Sequence, residues 1–360
     1  MRILFATRKW PPAIGGMEVY CNELTRHLSF RNDVKIWSLP GKKNGRPPNL
    51  VRQIVFIAIC CIRAFVEPRR DIVHVGDLVS WPIALPFILR RSCPVFITAY
   101  GLDIVFAHRA GLFPWLYRKY LGLCVRMMGD RLNVVAISRA TALLCEAAGF
   151  SKVAVVPLGV NLQGRKPFAE IDNNPEVLGT FILFVGRLVQ RKGASWFAEH
   201  VLPHLPQDIS LKVVGAKWDD QEWSAISSNP RTEYLGTLSN ERLARLRRAA
   251  LVVIMPNISS GGTDIEGFGL TALEAAVDGG VLVASAIEGI VDAVIPGETG
   301  FLVPERDVSA WLETIASVAR WSNEERGAFI ERAFNLISER YSWDRVAKNT
   351  ESEYESATYG

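Results

Sequence analysis

Apolar residues in this chain come in short unbroken runs, separated by longer stretches in which they recur every three or four positions. The short runs read as buried strands, and the periodic stretches as helices packed by one face. In the first half the pattern predicts strands at 2–6, 34–38, 72–75, 95–99, 134–137 and 153–156, with helices at 17–30, 50–66, 80–90, 112–129 and 138–148. The second half repeats the alternation. Strands are expected at 181–185, 210–214, 231–235, 251–255 and 281–284, and helices at 193–203, 220–228, 239–249, 271–278 and 307–320. Such alternation folds as a parallel sheet with helices on both faces. Because it occurs twice, the fold class expected is α/β with two doubly wound, Rossmann-like domains. The polar, turn-rich segment 163–175 is the expected linker. Ligands of doubly wound sheets bind outside the carboxyl ends of the strands. Two such domains facing each other would make a cleft, one wall for a nucleotide and the other for a second substrate.

Length agrees with this division, since 360 residues exceed one ordinary core. Charge adds something the pattern does not. The net charge is only +4, yet residues 1–165 hold 23 Lys and Arg against 9 Asp and Glu, net +14, which leaves −10 for the remainder. A swing of that size points to a partner for the basic half. Arg52, Arg63, Arg69 and Arg70 surround the apolar stretch 51–66, and Arg118, Lys119 and Arg126 interleave with Phe113, Trp115 and Tyr117. That mixture suits an anionic membrane surface. It also suits ordinary amphipathic helices packed on a sheet. Packing is the preferred reading for 51–66, and both readings stay open for 111–129. No nucleic-acid recognition motif accompanies the basic half.

Six cysteines, at 21, 60, 61, 93, 124 and 145, form no metal or disulfide spacing. A reduced, cytoplasmic setting is expected, with a peripheral place on the inner membrane face as the further possibility. Residues 1–9 read as a first strand rather than a signal peptide. The longest uncharged apolar run, 54–62, falls well short of the ~20 residues that span a bilayer.

The densest candidate chemistry is the stretch from Asp264 to Ala275, in which Glu266 and Glu274 bracket Gly267-Phe268-Gly269 and a helix opens near Leu270-Thr271. A helix start offers free N–H groups and a positive dipole end, where a phosphate fits. Carboxylates on either side could accept hydrogen bonds from hydroxyls, so a sugar nucleotide matches the pattern. A glycine-rich turn capping an ordinary helix is the alternative. Upstream, Gly186-Arg187 and Lys192-Gly193 follow the strand 181–185, so Arg187 and Lys192 can both reach a diphosphate. Gly15-Gly16 follows the first strand and again offers N–H groups to an anion. It lacks the spacing of a dinucleotide site. Tyr100 and Asp103 follow the strand 95–99 and would face the cleft, unless Asp103 merely caps a helix. His74 reads as a strand histidine with its hydrogen bonds satisfied.

Taken together, these residues resemble the retaining glycosyltransferases of family 4, which have the two-domain GT-B fold. The resemblance runs nearly end to end. It takes in Gly15-Gly16, Ile137-Ser138, Pro157 to Asn161, Gly186-Arg187 with Lys192-Gly193, Gly236-Thr237-Leu238 and the Glu266-x7-Glu274 element. Gly289, Gly297 and Gly300 follow in order, and Tyr341-Ser342-Trp343 begins what looks like a closing helix. The resemblance implies an acceptor-binding domain at 1–167, a nucleotide-sugar domain at 168–339 and a helix at 340–360 returning to the first domain.

It also implies roles. Arg187 and Lys192 would neutralise the leaving diphosphate, and Glu266 would bind donor sugar hydroxyls; these three form the catalytic set. Gly16, Gly186, Leu238, Phe268, Gly269, Leu270, Thr271 and Glu274 would hold the donor, with Leu238 near the base and Glu274 on the ribose. Tyr100 and Asp103 would lie on the acceptor side. No metal and no separate cofactor is implied, only a UDP- or GDP-sugar as substrate. The partners implied are that donor and a glycan or lipid-linked acceptor. Two departures stand out: many members carry His-Gly where this chain has Tyr100-Gly101, and Gly215-Ala216-Lys217-Trp218 lacks a second glycine. Other readings are a non-catalytic binding protein and an epimerase or phosphorylase of the same fold, the last without a supported pyridoxal lysine.

Overall fold

A computed structural model describes residues 1–13, 15–165, 179–261 and 264–359. The chain divides into two compact units. The first comprises Met1–Gly159, Gly262–Gly267 and Trp343–Gly360, and the second Val160–Gly261 and Phe268–Ser342. The linker expected at 163–175 lies outside the described residues from position 166 onward.

In the first unit, strands β1 (Arg2–Trp10), β2 (Asp33–Pro40), β3 (Ile72–Val75), β4 (Val95–Ala99), β5 (Leu132–Ala136) and β6 (Val153–Val155) form one sheet in the order β2-β1-β3-β4-β5-β6. Every described pairing in it is parallel. Parallel strands need crossovers, and helices supply them: α1 (Gly16–Leu28), α2 (Leu50–Val66), α3 (Leu85–Leu89), α4 (Leu102–Val105), α5 (Leu112–Met128) and α6 (Arg139–Ala147). The single helix expected over 80–90 is instead a tight 3₁₀ turn, Leu78–Ile83, followed by the short α3. Pro82 and Pro86 explain the break, since neither has an N–H for the helical ladder. The Asp77 carboxylate starts the turn by accepting from Ser80 N–H at 3.1 Å.

Helix α2 departs from the preferred expectation. Only Cys60 and Ala64 are fully buried, with Phe56, Ile57 and Cys61 packed beside them. The rest of its apolar surface faces outward.

The second unit repeats the plan. Strands β7 (Gly179–Val185), β8 (Ser210–Val214), β9 (Thr232–Gly236), β10 (Ala250–Met255), β11 (Leu282–Ser285) and β12 (Phe301–Val303) run in the order β12-β11-β10-β7-β8-β9, again all parallel. Around them lie α7 (Ala194–His200), α8 (Asp220–Ser228), α9 (Asn240–Ala249), α10 (Leu270–Val277), α11 (Ile290–Ala293), α12 (Val308–Ala319) and α13 (Asn323–Arg340).

The last helix, α14 (Trp343–Tyr359), belongs to the first unit and packs on α1. Arg31 ties it down through Asp344 at 2.7 Å and Glu351 at 2.9 Å. Tyr354 reaches the centre of the sheet, where its hydroxyl lies 2.5 Å from His74 Nδ1, while Thr98 Oγ1 sits 2.8 Å from Nε2. His74 is thus fully partnered, and burial pushes its pKa down to about 3 from an ordinary 6.5. The neutral ring is the form the fold favours. Its contribution to stability is complete above pH 6.5 and drains away as pH falls toward 3. Melting temperature should therefore drop more between pH 7 and pH 4.5 in the wild type than in His74→Gln. Identical drops would show that protonation of His74 does not govern the loss of stability.

Candidate active site

The chain leaves β7 for β8 on one side and returns through β10 on the other. The crevice outside the carboxyl ends of β7 and β10 is therefore the topological switch point of the second sheet, where doubly wound folds bind ligands. Gly186 follows β7 directly. Its N–H donates to Val214 O at 2.9 Å and that of Leu188 to Ala216 O at 2.9 Å, so this loop runs beside the one after β8. The two backbones are close enough that a Cβ on Gly215 (φ +146°) would collide with the Gly186 carbonyl oxygen. Arg187 is exposed, and its guanidinium carbon lies 4.9 Å from the Trp218 ring centroid.

Lys192 closes a 3₁₀ turn, Gln190–Lys192, with its N–H on Val189 O at 2.8 Å. That turn is pinned to the segment after β10 in two ways. Ile258 N–H donates to Arg191 O at 2.8 Å, and a Cβ on Gly193 (φ +68°) would strike the Pro256 carbonyl oxygen. Lys192 is only 9% exposed.

Helix α10 starts on the other side of β10. Gly269 (φ +92°) precedes it and packs against Met255 and Ile290. The N–H groups of Leu270 and Thr271 fall in the first turn, where the helical ladder offers no acceptor. Phe268 is buried, its ring centroid 6.0 Å from that of Tyr341. The structure thus gathers Gly186, Arg187, Lys192, Phe268, Gly269, Leu270 and Thr271 around the carboxyl ends of β7 and β10. Leu238 is half-buried after β9, farther along the same edge of the sheet.

Glu274 lies one turn into α10 with 38% of its side chain exposed, and is ion-paired with Arg247 of α9. Arg247, 2% exposed, also holds Asp278 at 2.6 Å, and Asp278 is approached by Arg165 Nε at 2.7 Å. Arg247, Asp278 and Arg165 were not predicted as parts of a site. A signal was present: Glu274 and Asp278 are spaced i, i+4 and so share one face of a helix that is otherwise apolar. Two carboxylates there require a cation.

The remaining predicted residues belong to the first unit. Glu266 is half-buried in the stretch 264–267, whose Asp264 lies 3.8 Å from Arg109. Gly267 packs so closely on the Tyr100 carbonyl that a Cβ there would lie 2.6 Å from its oxygen. Gly16 is the first residue of α1, but that helix start already faces a carboxylate of its own. The buried Glu18 folds back toward Gly15, with Lys9 Nζ 3.6 Å from its Oε1. Tyr100 is buried, its hydroxyl 3.7 Å from Cys21 Sγ. Asp103 accepts from Tyr100 N–H at 3.1 Å and sits in the first turn of α4, whose N-cap is Gly101. Burial, with the nearby Asp77 charge added, pushes the Asp103 carboxyl up to about 7 despite that hydrogen bond. Asp77 itself pairs with Arg8 at 3.0 Å.

A cavity of about 520 Å³ opens between α7 and α8, lined by Ser195, Trp196 and Glu222 among others. Gln190 lines it too, but neither Arg187 nor Lys192 does. Among the described residues no three His, Cys, Asp or Glu side chains are grouped to hold a metal ion.

Comparison with known proteins bears on this geometry. Residues 14–163 match the family described as Glycosyltransferase Family 4, and residues 179–320 the family described as Glycosyl transferases group 1. The D-inositol 3-phosphate glycosyltransferase of Xylanimonas cellulosilytica is 30% identical over 96% of this chain and 92% of its own length. Sucrose-phosphate synthase from Thermosynechococcus elongatus superposes with a TM-score of 0.73 at 18% identity, covering 99% of each chain. Anabaena HepE in complex with UDP superposes with a TM-score of 0.74 at 16% identity, over 99% of this chain and 100% of that one. Another structure of HepE holds UDP-glucose. What these solved structures share with the chain is the fold, GT-B.

Proposed function

Because the chain belongs to glycosyltransferase family 4 and is a glycosyltransferase of that type, we propose that it moves a hexose-type sugar from a UDP- or GDP-sugar to a glycan or lipid-linked acceptor. Transfer retains the anomeric configuration and needs no metal ion. The observation that carries this reading is the convergence of the Arg187–Lys192 loop and the start of α10 on one switch point. Two side-chain cations and two free N–H groups are what a departing diphosphate requires. HepE, a structure of the same fold, was solved with UDP, which favours a uridine donor.

The bond from the anomeric carbon to the diphosphate oxygen breaks, and its electron pair leaves with the nucleotide. Arg187, Lys192 and the N–H groups of Leu270 and Thr271 stabilise that charge. The acceptor hydroxyl forms the new bond on the same face, and its proton passes to the departing phosphate oxygen. Glu266 binds sugar hydroxyls. Glu274, held by Arg247, binds the ribose with the carboxylate edge that remains exposed. The site of action is the inner face of a membrane, on the way to a cell-surface polysaccharide or glycolipid.

A thermal-shift screen of UDP-, GDP- and ADP-sugars tests the donor. One of the first two should raise the melting point, because only a ligand that prefers the native state does so. Product formed with that donor should carry the donor's own anomeric configuration by NMR. No shift with any sugar nucleotide, or an inverted product, would end this reading.

A further inference from the structure

Helix α2 is apolar on its outer face as well as its inner one. Val51, Ile54, Val55, Ile59, Ile62 and Phe65 lie along one outward stripe, with exposures rising to 71% at Ile62. No polar side chain interrupts that stripe, and Arg52 and Arg63 stand along one edge of it. Helix α5 packs on the same Leu78–Ile83 turn as α2 and exposes Leu112, Phe113, Trp115 and Leu116 at its start. Folded monomers rarely leave apolar patches of this extent open to water.

Charge identifies what covers it. No Asp or Glu occurs between residues 34 and 66 or between 104 and 129, while the same segments hold ten Lys and Arg. A second copy of the chain would bring ten cations against ten. An anionic bilayer offers apolar depth for the stripe and headgroup charge for its rim. Among the described residues no helix is long and apolar enough to cross a membrane. The geometry points to α2, with the first turns of α5, lying in the plane of an anionic lipid surface. This rests on the membrane location proposed above and names the elements that make the contact.

Co-sedimentation of the full chain with phosphatidylglycerol-containing and pure phosphatidylcholine vesicles, across a salt series, tests it. The chain should pellet with anionic vesicles and be released by salt. Ile62→Ser/Phe65→Ser should weaken that partitioning at least tenfold. Both side chains are already exposed, so the double variant should keep its melting point and its shift with nucleotide sugar. A variant that still binds anionic vesicles as the wild type does would overturn the assignment to α2 while leaving the membrane location standing. Wild-type chain that binds no vesicle, or binds neutral and anionic ones equally, would overturn both. A wild-type chain that ignores vesicles but dimerises through this face would hand the surface to a second copy.

Discussion

Lys192→Ala should lower turnover roughly 100- to 1,000-fold and leave donor affinity within a few-fold of the wild type, the range seen when one preorganised stabiliser of transition-state charge is removed. The asymmetry between the two effects is the informative part. In the proposed complex the ground-state diphosphate shares its charge with Arg187 and the start of α10 as well, so losing one cation should weaken binding little. Charge that develops as the sugar departs falls on the oxygen nearest the reacting carbon, and an interaction made only then acts on the rate. The turn that carries Lys192 is well placed for this, being fastened to Pro256 and Ile258 by backbone contacts. Gly193→Ala is the control. Its Cβ would press on the Pro256 carbonyl and would have to adopt a left-handed φ, so the turn itself must move. That variant should lose affinity and turnover together. Initial rates paired with calorimetric titration of the donor separate the two patterns. An unchanged rate in Lys192→Ala would remove its assigned role.

Much of this organisation was legible in the residue pattern because parallel strands are buried on both faces and so appear as unbroken apolar runs. The runs at 72–75 and 95–99 predict β3 and β4 without adjustment. The expected helix at 80–90 failed where Pro82 and Pro86 override apolar periodicity. Helix α13 lies outside the predicted set, although Ser322 and Glu325 form a capping box and Phe329, Ile330, Ala333, Phe334 and Ile337 bury one face. Strand β12, Phe301–Val303, also lies outside the predicted set.

Within the candidate site, the place of Gly269 before α10 was readable because the demand for a left-handed residue at a helix start is local. Arg247 was not, because the i, i+4 carboxylates of α10 signal only that a cation is needed, and that α9 lies beside α10 to supply it is a tertiary fact. Helix α2 shows the opposite failure. An apolar helix suggests burial, and only the structure shows which of its faces remains open.

Arg247→Ala should cost about 3–5 kcal/mol of stability, the usual penalty for removing one partner of a buried ion pair. Asp278, just 2% exposed, would be left with Arg165 alone. The same variant should also bind donor less tightly, since Glu274 loses the group that orients it. Those two effects can be told apart at Glu274. In Glu274→Gln the carboxylate charge disappears, but Arg247 keeps Asp278 at 2.6 Å, and the substituted side chain sits at a position 38% open to solvent. Stability should therefore change by less than about 1 kcal/mol, as expected for a partly exposed partner. Affinity for the nucleotide sugar should still fall, because an amide is a poorer acceptor for two ribose hydroxyls than a carboxylate. Urea denaturation alongside donor titration measures both. If Glu274→Gln destabilised the fold as much as Arg247→Ala yet bound donor normally, Glu274 would be a structural member of the Arg247 cluster and not the ribose ligand.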